Sequence, residues 1–204
     1  MKKIIISIAF MMSPCALAQN TVVNGLDFGP LAPLVGSWKT SASSVDIAPG
    51  KVGSAVKKGG VAVSPFYEVR TFEVAADATN NSDQYLVALY YKQEVFRKAD
   101  GSKFHDQRGY LIYDKKNQMV YNSFCVPRAV CVLAEGKAGS KMTLTAPKRG
   151  VGESSYMSKN ATTKNFNMTL DISDNTFTYS QTTELNIYGK PFVHTDSGTL
   201  KKVQ

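Results

Sequence analysis

Apolar and polar side chains alternate with a period of two across residues 165–187. Phe166, Met168, Leu170 and Ile172 alternate with Asn165, Asn167, Thr169 and Asp171. After the turn-forming triplet Ser173-Asp174-Asn175, Phe177, Tyr179, Gln181, Thr183, Leu185 and Ile187 alternate with Thr176, Thr178, Ser180, Thr182, Glu184 and Asn186. A strand sends successive side chains to opposite faces, so each run reads as a strand with one buried face, and the two as a hairpin. The same grammar recurs at 66–74, 85–96, 104–113, 119–126, 130–135, 142–146 and 192–200. Turn-rich stretches at 77–83, 99–102 and 114–118 separate these runs. Many strands with short links predict an all-β domain: an antiparallel up-and-down barrel of about ten strands, or a sandwich. One short helical turn is predicted at 31–35, just before Gly36-Ser37-Trp38. Stretches 48–60 and 148–164 read as loops, the second able to hold a small extra strand or a lid.

The N-terminus breaks the alternation. Lys2 and Lys3 precede an apolar stretch at 4–12, and Ala16-Leu17-Ala18 is a small-x-small site. This order predicts a secretory signal peptide cleaved after Ala18, and hence a periplasmic or secreted protein. The apolar stretch is far short of the roughly 20 residues of a spanning helix, and no later segment reaches that length. Residues 19–30 then read as an N-terminal extension and 31–204 as one barrel domain.

The chain has 24 basic and 16 acidic residues, two of the lysines lying in the leader. The remaining excess is modest and scattered in pairs through turns (Lys57-Lys58, Lys115-Lys116, Lys148-Arg149). That pattern is solvated loop charge and not the basic stripe of a nucleic-acid binder. Cys15 leaves with the leader, so Cys125 and Cys131 remain. In an oxidising compartment an even pair suggests one disulfide, with two buried thiols as the alternative. Six extended residues span roughly 20 Å, whereas bridged Cα atoms lie roughly 4.4–6.8 Å apart. A bridge therefore needs the chain to turn back within 126–130, where Pro127 suits a turn.

No phosphate-binding glycine loop, Gly-x-Ser-x-Gly motif or clustered His/Cys metal motif occurs, so any catalysis would come from a bound cofactor. His105 and His194 are the two histidines. His105 reads as a ligand-side group or a strand-end residue. Gln107 and Arg108 must face opposite sides of their strand, and an inward arginine in an apolar barrel would need an anionic partner such as a carboxylate. Arg128 and Arg70 are alternatives for that role.

Gly36-Ser37-Trp38 is similar to the opening of calycin barrels, in which the tryptophan plugs the closed end. Three further segments sharpen the likeness: Phe104-His105-Asp106-Gln107-Arg108-Gly109-Tyr110, Phe124 to Gly136 around Pro127-Arg128-Ala129, and Phe192-Val193-His194-Thr195-Asp196 through Val203. Together they resemble the bacterial branch of the nitrobindin-like, fatty-acid-binding-protein-like barrels. The resemblance implies a ten-stranded barrel holding ferric heme b through one axial histidine on the last strand, with peroxynitrite isomerase-like and nitric oxide chemistry. His194 is the residue that would inherit the ligand role, on an inward face shared with Phe192, Asp196 and Leu200. This chain departs from the family pattern in two places. Ala129 stands where a glycine is expected, and His194 lies one residue further from the closing leucine than the family's ligand. The second reading is a calycin-type carrier of a small apolar ligand such as a fatty acid, its carboxylate held by Arg108 or Arg128. A barrel filled by its own side chains and acting by contact is the third.

Overall fold

The alternating runs form strands, most of them extending beyond the predicted ends. The structure, a computed structural model, describes residues 20–42 and 44–203; the leader predicted at 1–18 lies outside the described residues. In chain order the elements are β1 (Val22–Val23), β2 (Leu26–Asp27), a 3-10 turn (Gly29–Leu34), β3 (Gly36–Thr40), β4 (Ser44–Pro49), β5 (Val61–Val74), β6 (Ala78–Thr79), β7 (Tyr85–Arg97) and β8 (Lys103–Asp114). They continue with β9 (Met119–Val126), β10 (Val130–Lys137), β11 (Lys141–Thr145), β12 (Val151–Glu153), α1 (Ser155–Asn160), β13 (Ala161–Ile172), β14 (Thr176–Ile187) and β15 (Lys190–Lys202). The 148–164 stretch thus holds both a small strand and a short helix. Among the described residues no helix is long and apolar enough to cross a membrane.

Most of the long strands pair with the next long strand in the chain, short β12 pairs back onto β10, and all pairs are antiparallel. The ring closes where β15 pairs with β4 through Thr195–Ser197 and with β3 through Leu200–Lys202. β3 and β4 each pair onward to β5 and share one place in the ring, which makes a closed ten-stranded barrel. This divided strand carries no long alternation and was not among the predicted strands. The predicted domain start at residue 31 also falls inside the packed unit, because Phe28 is fully buried in the core.

One end of the barrel is solid. Trp38 is fully buried and its Nε1 donates to Leu34 O at 2.7 Å, tying the 3-10 turn across the barrel end. Phe28, which immediately precedes that turn, and Leu31 and Leu34 within it complete the plug. Lys202 donates to Pro33 O at 2.8 Å and sits over the Trp38 ring. Above this apolar floor lies a polar layer. Arg70 Nε meets Glu68 Oε2 at 2.9 Å, Gln93 Nε2 donates to the same oxygen at 2.6 Å, and the guanidinium lies 3.9 Å from the Tyr179 ring centre. Gly198 is required here: a Cβ would meet Ser44 Oγ at 2.8 Å and Glu68 Oε1 at 2.9 Å. The polar layer supports the floor of the opposite, open end.

Cys125 and Cys131 form a disulfide between directly paired residues of β9 and β10. Val126 pairs with Val130, so Pro127-Arg128-Ala129 is a three-residue turn. Ala129 has φ of 59°, the left-handed conformation that such turns usually assign to glycine. An L-residue there costs roughly 1–2 kcal/mol, whereas glycine adds unfolded-state entropy of roughly 0.4–1 kcal/mol. Ala129→Gly is therefore expected to stabilise the protein by about 0.5–1 kcal/mol. Urea denaturation of the oxidised protein measures this, and a loss of stability would show that Ala129 is not strained.

Candidate functional site

The open end holds a cavity of about 440 Å³, with a recess of about 120 Å³ behind the β9–β10 turn. The larger volume lies within the roughly 300–1,000 Å³ of ligand pockets. Its apolar wall includes Phe66, Val95, Phe104 and Ile187, and the recess adds Phe124, Val132, Phe166 and Leu185. Lys51, Arg97 and Arg128 line it as cations. His105, Gln181, His194 and Asp196 face both spaces.

Strand parity explains who points inward. On β8, Leu111 and Tyr113 are buried, so Gln107 and His105 fall on the same inner face. The β7–β8 register slips beside Phe104: Val95 pairs with His105 but Phe96 pairs with Lys103. A bulge of this kind re-aims side chains, and Phe104 and His105 both line the cavity. His105 Nε2 is buried without a hydrogen-bond partner. Burial is the largest influence on His105 and lowers its pKa, which favours the neutral ring.

Arg108, expected in the pocket, is outside it. The same parity turns it outward with Asp106; its Nη2 meets Asp106 Oδ2 at 2.9 Å and Glu94 Oε1 at 3.6 Å. Arg70 is also withdrawn, paired with Glu68 beneath the cavity. Arg128 is in the cavity wall, held at the tip of the disulfide-closed turn.

His194 reaches the cavity from β15, whose pairing with β14 runs without a register slip. Its inner face is shared with Asp196 and Leu200 as the alternation predicted. Its Nε2 is engaged: Asp46 Oδ1 lies at 2.8 Å and Asp196 Oδ2 at 3.4 Å. Burial disfavours the imidazolium, but the hydrogen bonds and charges of Asp196 and Asp46 outweigh it and raise His194 to about 9. The same partnership overcomes burial at Asp196 and lowers it to about 2, while burial dominates at Asp46 and raises it. In this arrangement His194 Nε2 carries a proton and offers no lone pair to the cavity. Asp46 was not a sequence candidate; its inner-face position two residues from Ser44 on β4 was its only local sign.

Fit to a heme follows from these atoms. The apolar wall suits a porphyrin face, the rim cations suit its two carboxylates, and the unpartnered His105 nitrogen suits an iron ligand. A thioether link is excluded at the two described cysteines, since each is in the disulfide.

Comparison with solved structures supports the fold. A crystal structure of Rv2717c from M. tuberculosis matches with a TM-score of 0.59 at 17% identity, covering 85% of this chain and 95% of that one. The S-type phycobiliprotein lyase CPES from Guillardia theta is a weaker match, with a TM-score of 0.46 at 10% identity over 84% and 89% of the two chains. No curated protein sequence matches the chain. Residues 27–202 match the family described as THAP4-like, heme-binding beta-barrel domain. That match spans nearly all of the barrel, and the chain belongs to this family of heme-binding β-barrels.

Proposed function

We propose that this protein is an exported barrel that binds heme b non-covalently in its open-end cavity, with His105 supplying the axial nitrogen. The observation that carries the reading is the neutral, unpartnered His105 Nε2 at the cavity wall. Neutral imidazole is what ferric or ferrous heme takes as a ligand. Lys51, Arg97 and Arg128 would pair with the propionates, and the Cys125–Cys131 bridge keeps Arg128 at the rim. The apolar wall and recess exclude water from the porphyrin faces. Bound ferric heme would supply an iron centre for nitric oxide or peroxynitrite chemistry, as the nitrobindin resemblance implies. The leader at 1–18 supports an oxidising location, and the disulfide is consistent with one.

Hemin titration of the oxidised protein, followed by its absorption spectrum, tests this. One equivalent should shift the Soret band. His105→Ala is expected to weaken binding at least tenfold, about 1.4 kcal/mol, and to change the ferric spectrum. Absence of saturable hemin binding to the wild type would overturn the reading. A spectrum unchanged by His105→Ala would remove His105 from the iron.

A further inference from the structure

Asp46 on β4 and Asp196 on β15 are direct cross-strand partners, and both turn inward. Like charges at such a pair are destabilising. The barrel seam therefore sets two carboxylates side by side, a pair that a proton on His194 or a metal cation would each stabilise. His194 stands next along the same face of β15. Its Nε2 and one oxygen of each carboxylate lie within 4.8 Å of one another, the nearer separations being 2.8 and 3.4 Å. Two donors each about 2.1 Å from a zinc-sized ion, at tetrahedral or octahedral angles, are roughly 2.9–3.4 Å apart. These separations match ligand spacing as well as hydrogen-bond spacing.

A second observation points to a missing ligand. Gln181 on β14 pairs with Asp196 from the other side, completing a row of three inward side chains across adjacent strands. It is 7% exposed, and its Nε2 donates to Asp196 Oδ2 at 2.9 Å. Its Oε1 is buried without any partner. An orphaned buried acceptor costs roughly 1–3 kcal/mol, and this one belongs to a side chain already bonded to the cluster through Asp196. The cluster also has an entry path, because Asp46, His194 and Asp196 all line the open cavity.

We propose that Asp46, His194 and Asp196 bind one divalent transition-metal cation of zinc-like character, with an open position toward the cavity. The cation would displace the proton that His194 Nε2 shares with the carboxylates and release it to solvent through the open cavity. The neutral imidazole nitrogen and two carboxylate oxygens are then a donor set suited to such an ion. Three protein ligands with a free position is the arrangement of reactive rather than purely structural sites. The proposal does not depend on heme, which the preceding reading assigns to His105.

The test uses the protein produced from the full chain, without a histidine tag, treated with chelator and free of hemin. Zn²⁺ binding is measured by calorimetry and Co²⁺ binding by absorption. One equivalent of each is expected, the Co²⁺ form showing visible ligand-field bands. His194→Ala and Asp196→Asn should each weaken Zn²⁺ at least ~100-fold, while Arg108→Ala, on the outer face, should not. Circular dichroism confirms folding, and Asp46→Asn provides a near-isosteric third variant. The proposal is overturned if the wild type shows no saturable binding, leaving only a hydrogen-bonded triad. It is equally overturned if folded variants bind Zn²⁺ as tightly as the wild type. Hemin binding can fail or succeed in the separate titration without altering either outcome.

Discussion

Arg70→Ala is expected to destabilise the protein by about 3–5 kcal/mol. Arg70 and Glu68 sit two apart on β5, so both project into the barrel, where they are 2% and 1% exposed. Burial works against the guanidinium charge, but the Glu68 carboxylate outweighs it and keeps Arg70 above the usual arginine range. Removing the arginine leaves a carboxylate in a low-dielectric interior, with the Gln93 amide at 2.6 Å and no cation beside it. It also strips the cation from the faces of Tyr179 and Phe177, at 3.9 and 5.3 Å. The cost is that of an orphaned charge and not the net worth of the pair. Glu68→Leu combined with Arg70→Met should therefore recover most of the loss, since apolar replacement of a buried pair is often neutral. Guanidinium denaturation of Glu68→Leu, Arg70→Met and the double variant makes the cycle, with Arg70→Ala measured beside it. Additive losses in the double variant would refute the orphaned-charge account.

Trp38→Ala is expected to cost about 3–5 kcal/mol. Trp38 is the single tryptophan and is fully buried at the closed end. It meets Phe177 edge-on at 6.2 Å and joins β3 to the 3-10 turn through its bond to Leu34 O. Truncation would open the floor of the barrel and leave that carbonyl unpaired. Trp38→Phe keeps most of the apolar area and loses the donor, so its expected cost is smaller, about 1–3 kcal/mol. Circular dichroism follows both variants through denaturation; in the wild type Trp38 fluorescence reports the same transition. Equal costs for the two substitutions would show that the hydrogen bond, and not the plug, dominates.

Much of this architecture was readable from period two alone. The run at 176–187 coincides with β14 and that at 119–126 with β9. The inward face of His194, Asp196 and Leu200 followed from the same rule, and the cysteine pair identified its own turn. Arg108 shows the limit of reading one pair of positions. Alternation placed Gln107 and Arg108 on opposite faces without saying which was inner. Tyr113, Leu111 and Gln107, counted as one series, put Arg108 outside, as the ion pairs with Asp106 and Glu94 confirm. The β3–β4 strand escaped notice because two short pieces flank small residues at 41–42 and never build a long run.

The candidate sites needed information of another kind. Which face of a strand is buried is a property of the local backbone, and the order of residues carries it. Which residues meet across the barrel depends on how the sheet closes. Asp46 and His194 are 148 positions apart and touch only because β15 returns to pair with β4. The lone nitrogen of His105 likewise depends on which groups the closed barrel brings within its reach, and which it keeps away. Alternation determined most of the strands, the all-β class and the inward face of His194, while the choice of a barrel over a sandwich came from the family resemblance. Closure of the ring decided that one histidine is clasped by carboxylates and the other left free, because long-range register has no imprint in local periodicity.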